Sequence, residues 1–198
     1  VHGGAISTSF HLYSYKEQEI YAFQSKSIIA KKTHQLLKNG QIVLMSGGTT
    51  NLEVARLLPP DLSLTICTPS LLVAMQLSEN SNVETILIGG KLQPESQIAV
   101  GGDAALKISQ INADLCLLGT GHLDPDYGFS EIDYEVVQLK KVMIESSRKV
   151  VALTISEKLN SAQRFKVCET QSIHTLVTEL DPDSPKLLAY KKLGLEII

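Results

Sequence analysis

Ile42-Val43-Leu44-Met45-Ser46-Gly47-Gly48-Thr49-Thr50 runs from four apolar residues through a glycine pair into two threonines, and apolar positions at helical spacing continue to Leu58. Unbroken Val/Ile/Leu runs of this length mark strands covered on both faces, as in a parallel sheet whose crossovers are helices. The pattern recurs downstream. Strand-like residues 64–67 precede a helical pattern over 70–77, 85–88 precede 103–111, and 114–118 precede 132–146, the longest helical pattern after the lead-in. Residues 150–154 and 175–178 add two strands, and a helix over 185–193 precedes a last apolar run at 195–198. Upstream, Ile20, Phe23, Ile28, Ile29, Leu36 and Leu37 place one long helix, or two in succession, over residues 15–38, stopped by Asn39-Gly40. The reading is α/β: a mainly parallel sheet flanked by helices and joined by right-handed crossovers. Residues 92–99 and 163–172 are the least regular stretches, and either has the size of a lid or a small subdomain.

The chain has 198 residues with 43% hydrophobic content, enough for one domain with a real core. A net charge of −3 argues against holding DNA unaided, which calls for a basic stripe that displaces counterions. Lys31-Lys32, Lys140-Lys141 and Lys191-Lys192 sit beside apolar residues at helical spacing and read as solvated helix faces. Cys67, Cys116 and Cys168 are far apart, with no Cys-x-x-Cys pair, and read as reduced core thiols of a cytoplasmic protein. The opening Val1-His2-Gly3-Gly4-Ala5 is no secretion signal, and no run approaches the roughly 20 apolar residues of a membrane span.

In open parallel sheets, ligands bind beyond the carboxyl ends of the strands, so the residues after each strand are the candidates. They are Ser46-Gly47-Gly48-Thr49-Thr50, Thr68-Pro69-Ser70, Gly89-Gly90-Lys91, Gly119-Thr120-Gly121-His122 and Ser156-Glu157-Lys158. The first loop has the strongest physical case as a phosphate cradle. Its glycines let backbone N–H groups be presented, the following helix adds unpaired donors and a positive dipole end, and Thr49 and Thr50 add hydroxyls. It lacks the endings of a nucleotide P-loop and of a dinucleotide fold, and a plain turn with a threonine cap stands as the other reading. Lys158 is placed to meet a phosphate or a sugar hydroxyl. Lys91, His122, Glu135 and Lys140 are further candidates, although Lys91 also reads as merely solvated. Asp124-Pro125-Asp126-Tyr127-Gly128 reads as a turn rather than an acid/base site. No metal-ligand spacing, no nucleophile triad and no cofactor motif is present.

His2-Gly3-Gly4-Ala5, Lys26-x-x-Ile29-Ala30, the Ser46–Thr50 loop, Ile88-Gly89-Gly90, Gly128-Phe129-Ser130 and Glu157-Lys158-Leu159 occur in an order that resembles the DeoR family of bacterial transcriptional regulators. The resemblance implies a Rossmann-like, ribose-5-phosphate isomerase-like fold and a C-terminal effector-binding domain sensing a phosphorylated sugar or related metabolite. It further implies that residues 1–14 are a linker after a winged helix-turn-helix, with residues 15–198 the sensor. DNA would be met only through that head, in a homo-oligomer, and the domain itself would not be an enzyme. By position the phosphate would be held by Gly47, Gly48, Thr49 and Thr50 with Lys158, supported by Ser46, Thr68, Ser70 and Gly119. The family carries Asp where this chain has Met45, a hydroxyl where it has Gly48, Asn where it has Pro69, Asp where it has Ile155 and Gly where it has His122. The phosphate-holding part is thus better preserved than the sugar-reading part. Two alternatives stand beside the sensor: an isomerase-like enzyme using Glu135, Asp124, Asp126 or Glu157 as base, and a ligand-free oligomerisation domain.

Overall fold

The computed structural model describes residues 20–198, so the opening His-Gly-Gly-Ala segment, the proposed linker and the first five residues of the predicted lead-in helix lie outside the described residues. Seven parallel strands form one sheet in the order β12-β11-β9-β6-β1-β2-β3. They are β1 (Ile42–Met45), β2 (Leu64–Thr68), β3 (Val83–Leu87), β6 (Ala113–Gly119), β9 (Ser147–Leu153), β11 (Thr175–Val177) and β12 (Glu196–Ile197). Alternate residues of each inner strand point to opposite faces, and both faces are buried. Val43, Met45, Ile66, Leu117, Val151 and Leu153 enter one core; Leu44, Cys67, Cys116, Leu118, Val150 and Ala152 enter the other.

The first core is closed by α1 (Phe23–Thr33), α2 (Thr49–Arg56) and α3 (Leu71–Leu77), the second by α4 (Gly102–Ser109), α5 (Tyr134–Glu145) and α6 (Leu188–Lys192). The predicted lead-in helix ends in a 3-10 turn at His34–Leu36. Two other boundaries moved for local reasons. The helix expected from residue 132 begins at Tyr134 because the Asp133 carboxylate accepts the Val136 N–H at 3.0 Å and caps it. The strand expected from residue 150 begins at Ser147, where β9 extends alongside Ala113 of β6.

The irregular stretches are small sheets. β4 (Lys91–Gln93) and β5 (Ile98–Val100) make an antiparallel hairpin. β7 (His122–Asp124), β8 (Gly128–Glu131) and β10 (Phe165–Cys168) make a three-stranded antiparallel sheet. The turn read at Asp124–Gly128 joins β7 to β8, with Asp124 Oδ1 accepting the N–H groups of Asp126 at 3.0 Å and Tyr127 at 2.9 Å. Cys67 and Cys116 are buried free thiols. Lys140, read as part of a solvated face, is instead buried, for it lies on the core side of α5 with Val136, Val137 and Met143. No helix among the described residues is long and apolar enough to cross a membrane.

Candidate functional site

After β1 the chain moves outward through β2 to β3, then returns to place β6 on the other side of β1. That reversal opens a crevice at the carboxyl ends of β1 and β6, the position where ligands enter open parallel sheets. A cleft of about 590 Å³ lies there, between the loop after β1, the end of β6, the β4–β5 hairpin and the small antiparallel sheet.

The loop after β1 is held by a buried polar clamp. Ser46 Oγ accepts the Gly119 N–H and the Asn51 Nδ2 amide, each at 2.9 Å, and Asn51 also donates to the Leu117 carbonyl at 3.2 Å. The two loops approach so closely that a Cβ at Gly119 would stand 2.9 Å from the Gly47 carbonyl oxygen. Ser46→Ala is expected to destabilise the fold by about 1–3 kcal/mol, because the half-buried Gly119 N–H and one hydrogen of the buried Asn51 amide lose their acceptor. Urea denaturation measures it, and a midpoint equal to the wild type would show the clamp to be dispensable.

Gly48 has φ 102° and ψ 160°, a conformation open to glycine alone, and it supplies no side-chain cap to α2. The first N–H groups of α2, at Thr49, Thr50 and Asn51, have no acceptor within the helix and start at the cleft, where Gly47, Gly48, Thr49 and Thr50 are all lining residues. By contrast α3 and α5 carry side-chain caps from Ser70 and Asp133.

Three lysines enter the same cleft. Lys158 Nζ donates to the Thr120 carbonyl at 3.2 Å, and Lys140 Nζ donates to the Gly119 carbonyl at 2.6 Å and pairs with the Glu131 carboxylate. Lys26, on α1, donates to the Tyr21 carbonyl. Burial pushes the Lys26 ammonium down to about 8, with nearby Lys158 adding to the effect. Burial also lowers Lys158, opposed by Glu131 and assisted by Lys140. Burial thus disfavours the charged forms of Lys26 and Lys158, and the three ammonium groups share a partly dry space that Glu95, Glu131 and Asp133 also line.

Of the sequence candidates, the cleft brings together Gly47, Gly48, Thr49, Thr50, Gly119, Lys158, His122 and Lys140. It does not bring in Ser46, Thr68 or Ser70, which are buried and work as scaffold: Thr68 Oγ1 accepts the Ser70 N–H and Ser70 Oγ accepts the Val73 N–H. Lys91 and Glu135 lie outside it and face each other at 3.7 Å. None of Asp124, Asp126, Glu135 and Glu157, the bases an isomerase reading required, lines the cleft. Met45 and Ile155 are core residues of the α1–α3 side, closed off from the cleft. Sequence reasoning missed Lys26, Glu131 and Gln163. Only Lys26 left a signal: it falls on the helical stripe of Ile29, Ala30 and Thr33, the buried face of α1. Among the described residues, no group of three or more His, Cys, Asp or Glu could hold a metal ion.

Residues 22–180 match the family model described as DeoR C terminal sensor domain. The chain is 32% identical over 187 residues to the HTH-type transcriptional regulator GlpR of Haloferax volcanii, covering 92% of this chain and 73% of that protein. It is 31% identical over 179 residues to the glycerol-3-phosphate regulon repressor of Haemophilus influenzae, covering 89% and 69%. Among solved structures it resembles a D-ribose-5-phosphate isomerase in complex with phospho-erythronic acid, with a TM-score of 0.52 at 14% identity over 71% of this chain and 55% of that one. The isomerase-like likeness concerns the fold, and the relatives close in sequence are transcriptional regulators.

Proposed function

The chain belongs to the DeoR family of transcriptional regulators through its C-terminal sensor domain, and from that premise we propose that its cleft binds a phosphorylated sugar or related phosphorylated metabolite, whose occupancy alters how the regulator holds DNA. One observation carries this reading: the uncapped N-terminus of α2 opens into the same cleft as Lys26, Lys140 and Lys158. Backbone donors, a helix dipole and ammonium groups together favour a dianion without a metal. The name of one relative, the glycerol-3-phosphate regulon repressor, is in keeping with an effector of this kind. In this reading residues 15–198 are the sensing unit and residues 1–14 a link to a winged helix-turn-helix, which would make the DNA contacts that a net charge of −3 opposes here. The regulator would work in the cytoplasm as a symmetric homo-oligomer, since paired half-sites are met by two-fold assemblies. Linkage requires the effector to bind two conformations unequally.

The test is a thermal-shift panel of glycerol 3-phosphate, ribose 5-phosphate and glucosamine 6-phosphate. A ligand at a hundred times its Kd stabilises by about 2.7 kcal/mol, a rise in Tm of roughly 5–10 °C for a domain of this size. A flat panel would instead favour the ligand-free oligomerisation domain. Binding should also be pH-dependent. A bound phosphate favours charged Lys26, whose ammonium titrates near 8 in the free protein. Affinity is therefore highest between about pH 7, where the ester is a dianion, and pH 8, and it falls as pH rises through 8, with proton uptake on binding at pH 8–9. Calorimetry in two buffers of different ionisation heat reads that uptake, and equal observed heats in the two buffers would exclude Lys26 from the phosphate's surroundings.

A further inference from the structure

If the phosphate sits at the α2 end, some other part of the cleft must receive the rest of the effector. The positions that the family resemblance made carboxylates cannot do so, because Met45 and Ile155 are sealed in the α1–α3 core. The polar groups that do face the cleft come from the small antiparallel sheet and the segment leading into β10, and from Gln93, Glu95 and Ser96 of the β4–β5 hairpin with Asp133 of the α5 cap. In the hairpin and cap Gln93 is bonded to Asp133 and Ser96 to Gln93. Glu131, at the end of β8, gives one carboxylate oxygen to Lys140, and its other oxygen has no hydrogen-bond partner among the described residues.

Gln163 is held from two sides. Its backbone N–H donates to Ser130 Oγ at 2.8 Å, and its side-chain amide nitrogen lies 3.0 Å from His122 Nε2. An amide nitrogen only donates, so His122 Nε2 is the acceptor and the proton of the neutral ring is on Nδ1. Nδ1–H then donates to Ser161 Oγ at 2.6 Å, and Ser161 Oγ–H donates onward to the Lys158 carbonyl at 3.0 Å. With the amide nitrogen on His122, the amide oxygen points away from the ring and has no hydrogen-bond partner among the described residues. The His122 imidazole is lowered by burial and by Lys158, with Glu131 opposing, in agreement with a neutral acceptor.

We infer that Gln163 and Glu131 read the hydroxyl groups of the effector, and that His122 is the positioning residue that orients the Gln163 amide. The effector class is then a phosphorylated polyhydroxy compound, whose hydroxyls donate to the two free oxygens. This rests on the phosphate reading above, with the phosphate at the α2 end.

The experiment is calorimetry on the full chain with a matched pair of ligands, sorbitol 6-phosphate and hexyl phosphate, which share chain length and phosphate and differ in hydroxyls. The wild type should prefer the polyol phosphate by at least about ten-fold, the worth of one or two hydrogen bonds. Gln163→Leu should cut that preference by about ten-fold, and Glu131→Gln should lower it as well. His122→Leu should match Gln163→Leu, whereas His122→Gln, which keeps an acceptor near the position of Nε2, should recover most of the preference. Gln163 is half-buried near the surface, so its variant keeps the test valid should the Glu131 variant fold poorly. If the wild type binds neither phosphate, the phosphate reading and this inference fall together. If both bind but the preference is the same in wild type and Gln163→Leu, only the assignment of the hydroxyl-reading wall fails.

Discussion

Thr49→Glu is expected to abolish phosphate-ester binding while leaving the fold as stable as the wild type or slightly more so. Thr49 is the first residue of α2, follows the uncapped Gly48 and lines the cleft. A carboxylate there meets the free N–H groups and the positive end of the helix dipole, an arrangement worth about 0.3–1 kcal/mol in favour of the fold. The same charge stands where the dianion must go. Two unit charges 4 Å apart at an effective dielectric near 20 repel by about 4 kcal/mol, so at least a hundred-fold loss of affinity follows. Calorimetry with any ligand that stabilises the wild type, beside a urea melt, separates the two effects. Retained affinity would move the phosphate away from α2, whereas lost affinity with a collapsed melt would show only that the residue matters to folding.

Gly128→Ala is expected to destabilise the protein by about 3 kcal/mol or more, the largest effect on stability of any change considered. Gly128 opens β8 with φ 103°, outside the left-handed well that other residues tolerate, and a Cβ there would overlap the carbonyl oxygen of Cys168 on β10. The backbone conformation alone costs about 1–3 kcal/mol, and relieving the overlap means parting β8 from β10. Glu131 and Gln163 then shift together, so preference between hydroxylated and plain phosphates should weaken along with stability. A urea midpoint within error of the wild type would mean that β8 and β10 can separate at no cost and that the second sheet is not a rigid wall.

Much of this architecture is legible locally. The runs in β1, β2, β6 and β9 announce strands buried on both faces, and Asn39-Gly40 marks where the lead-in helix stops. The loop after β1 is legible as a candidate for the same reason, since a glycine pair followed by threonines at a strand-to-helix junction presents backbone donors, although as a sequence it reads equally as a plain turn with a threonine cap. Strand parity also explains the apolar substitutions of the rim: Met45 shares a face with Val43 and joins its core.

The second wall of the site is another matter. Its strands β7, β8 and β10 are short and polar, and β10 pairs with β8 across 34 residues, as Glu131 does with Phe165. No local pattern encodes that partner, because pairing depends on closing a long loop after the main sheet exists. Lys26 bore a trace of its burial in helical spacing, yet whether a lysine on an apolar stripe meets solvent or a cleft depends on what packs against it.

What the amino-acid order determined alone was therefore the parallel sheet, its flanking helices and the glycine turn between β1 and α2, since hydrophobic period, helix stops and glycine conformation are properties of neighbouring residues. What only the tertiary structure decided was which distant side chains share the cleft. Lys26, Lys140 and Lys158 converge with Glu131, His122 and Gln163 because α1, α5, the small sheet and the turn after β9 are brought to one crevice by the reversal of strand order at β1.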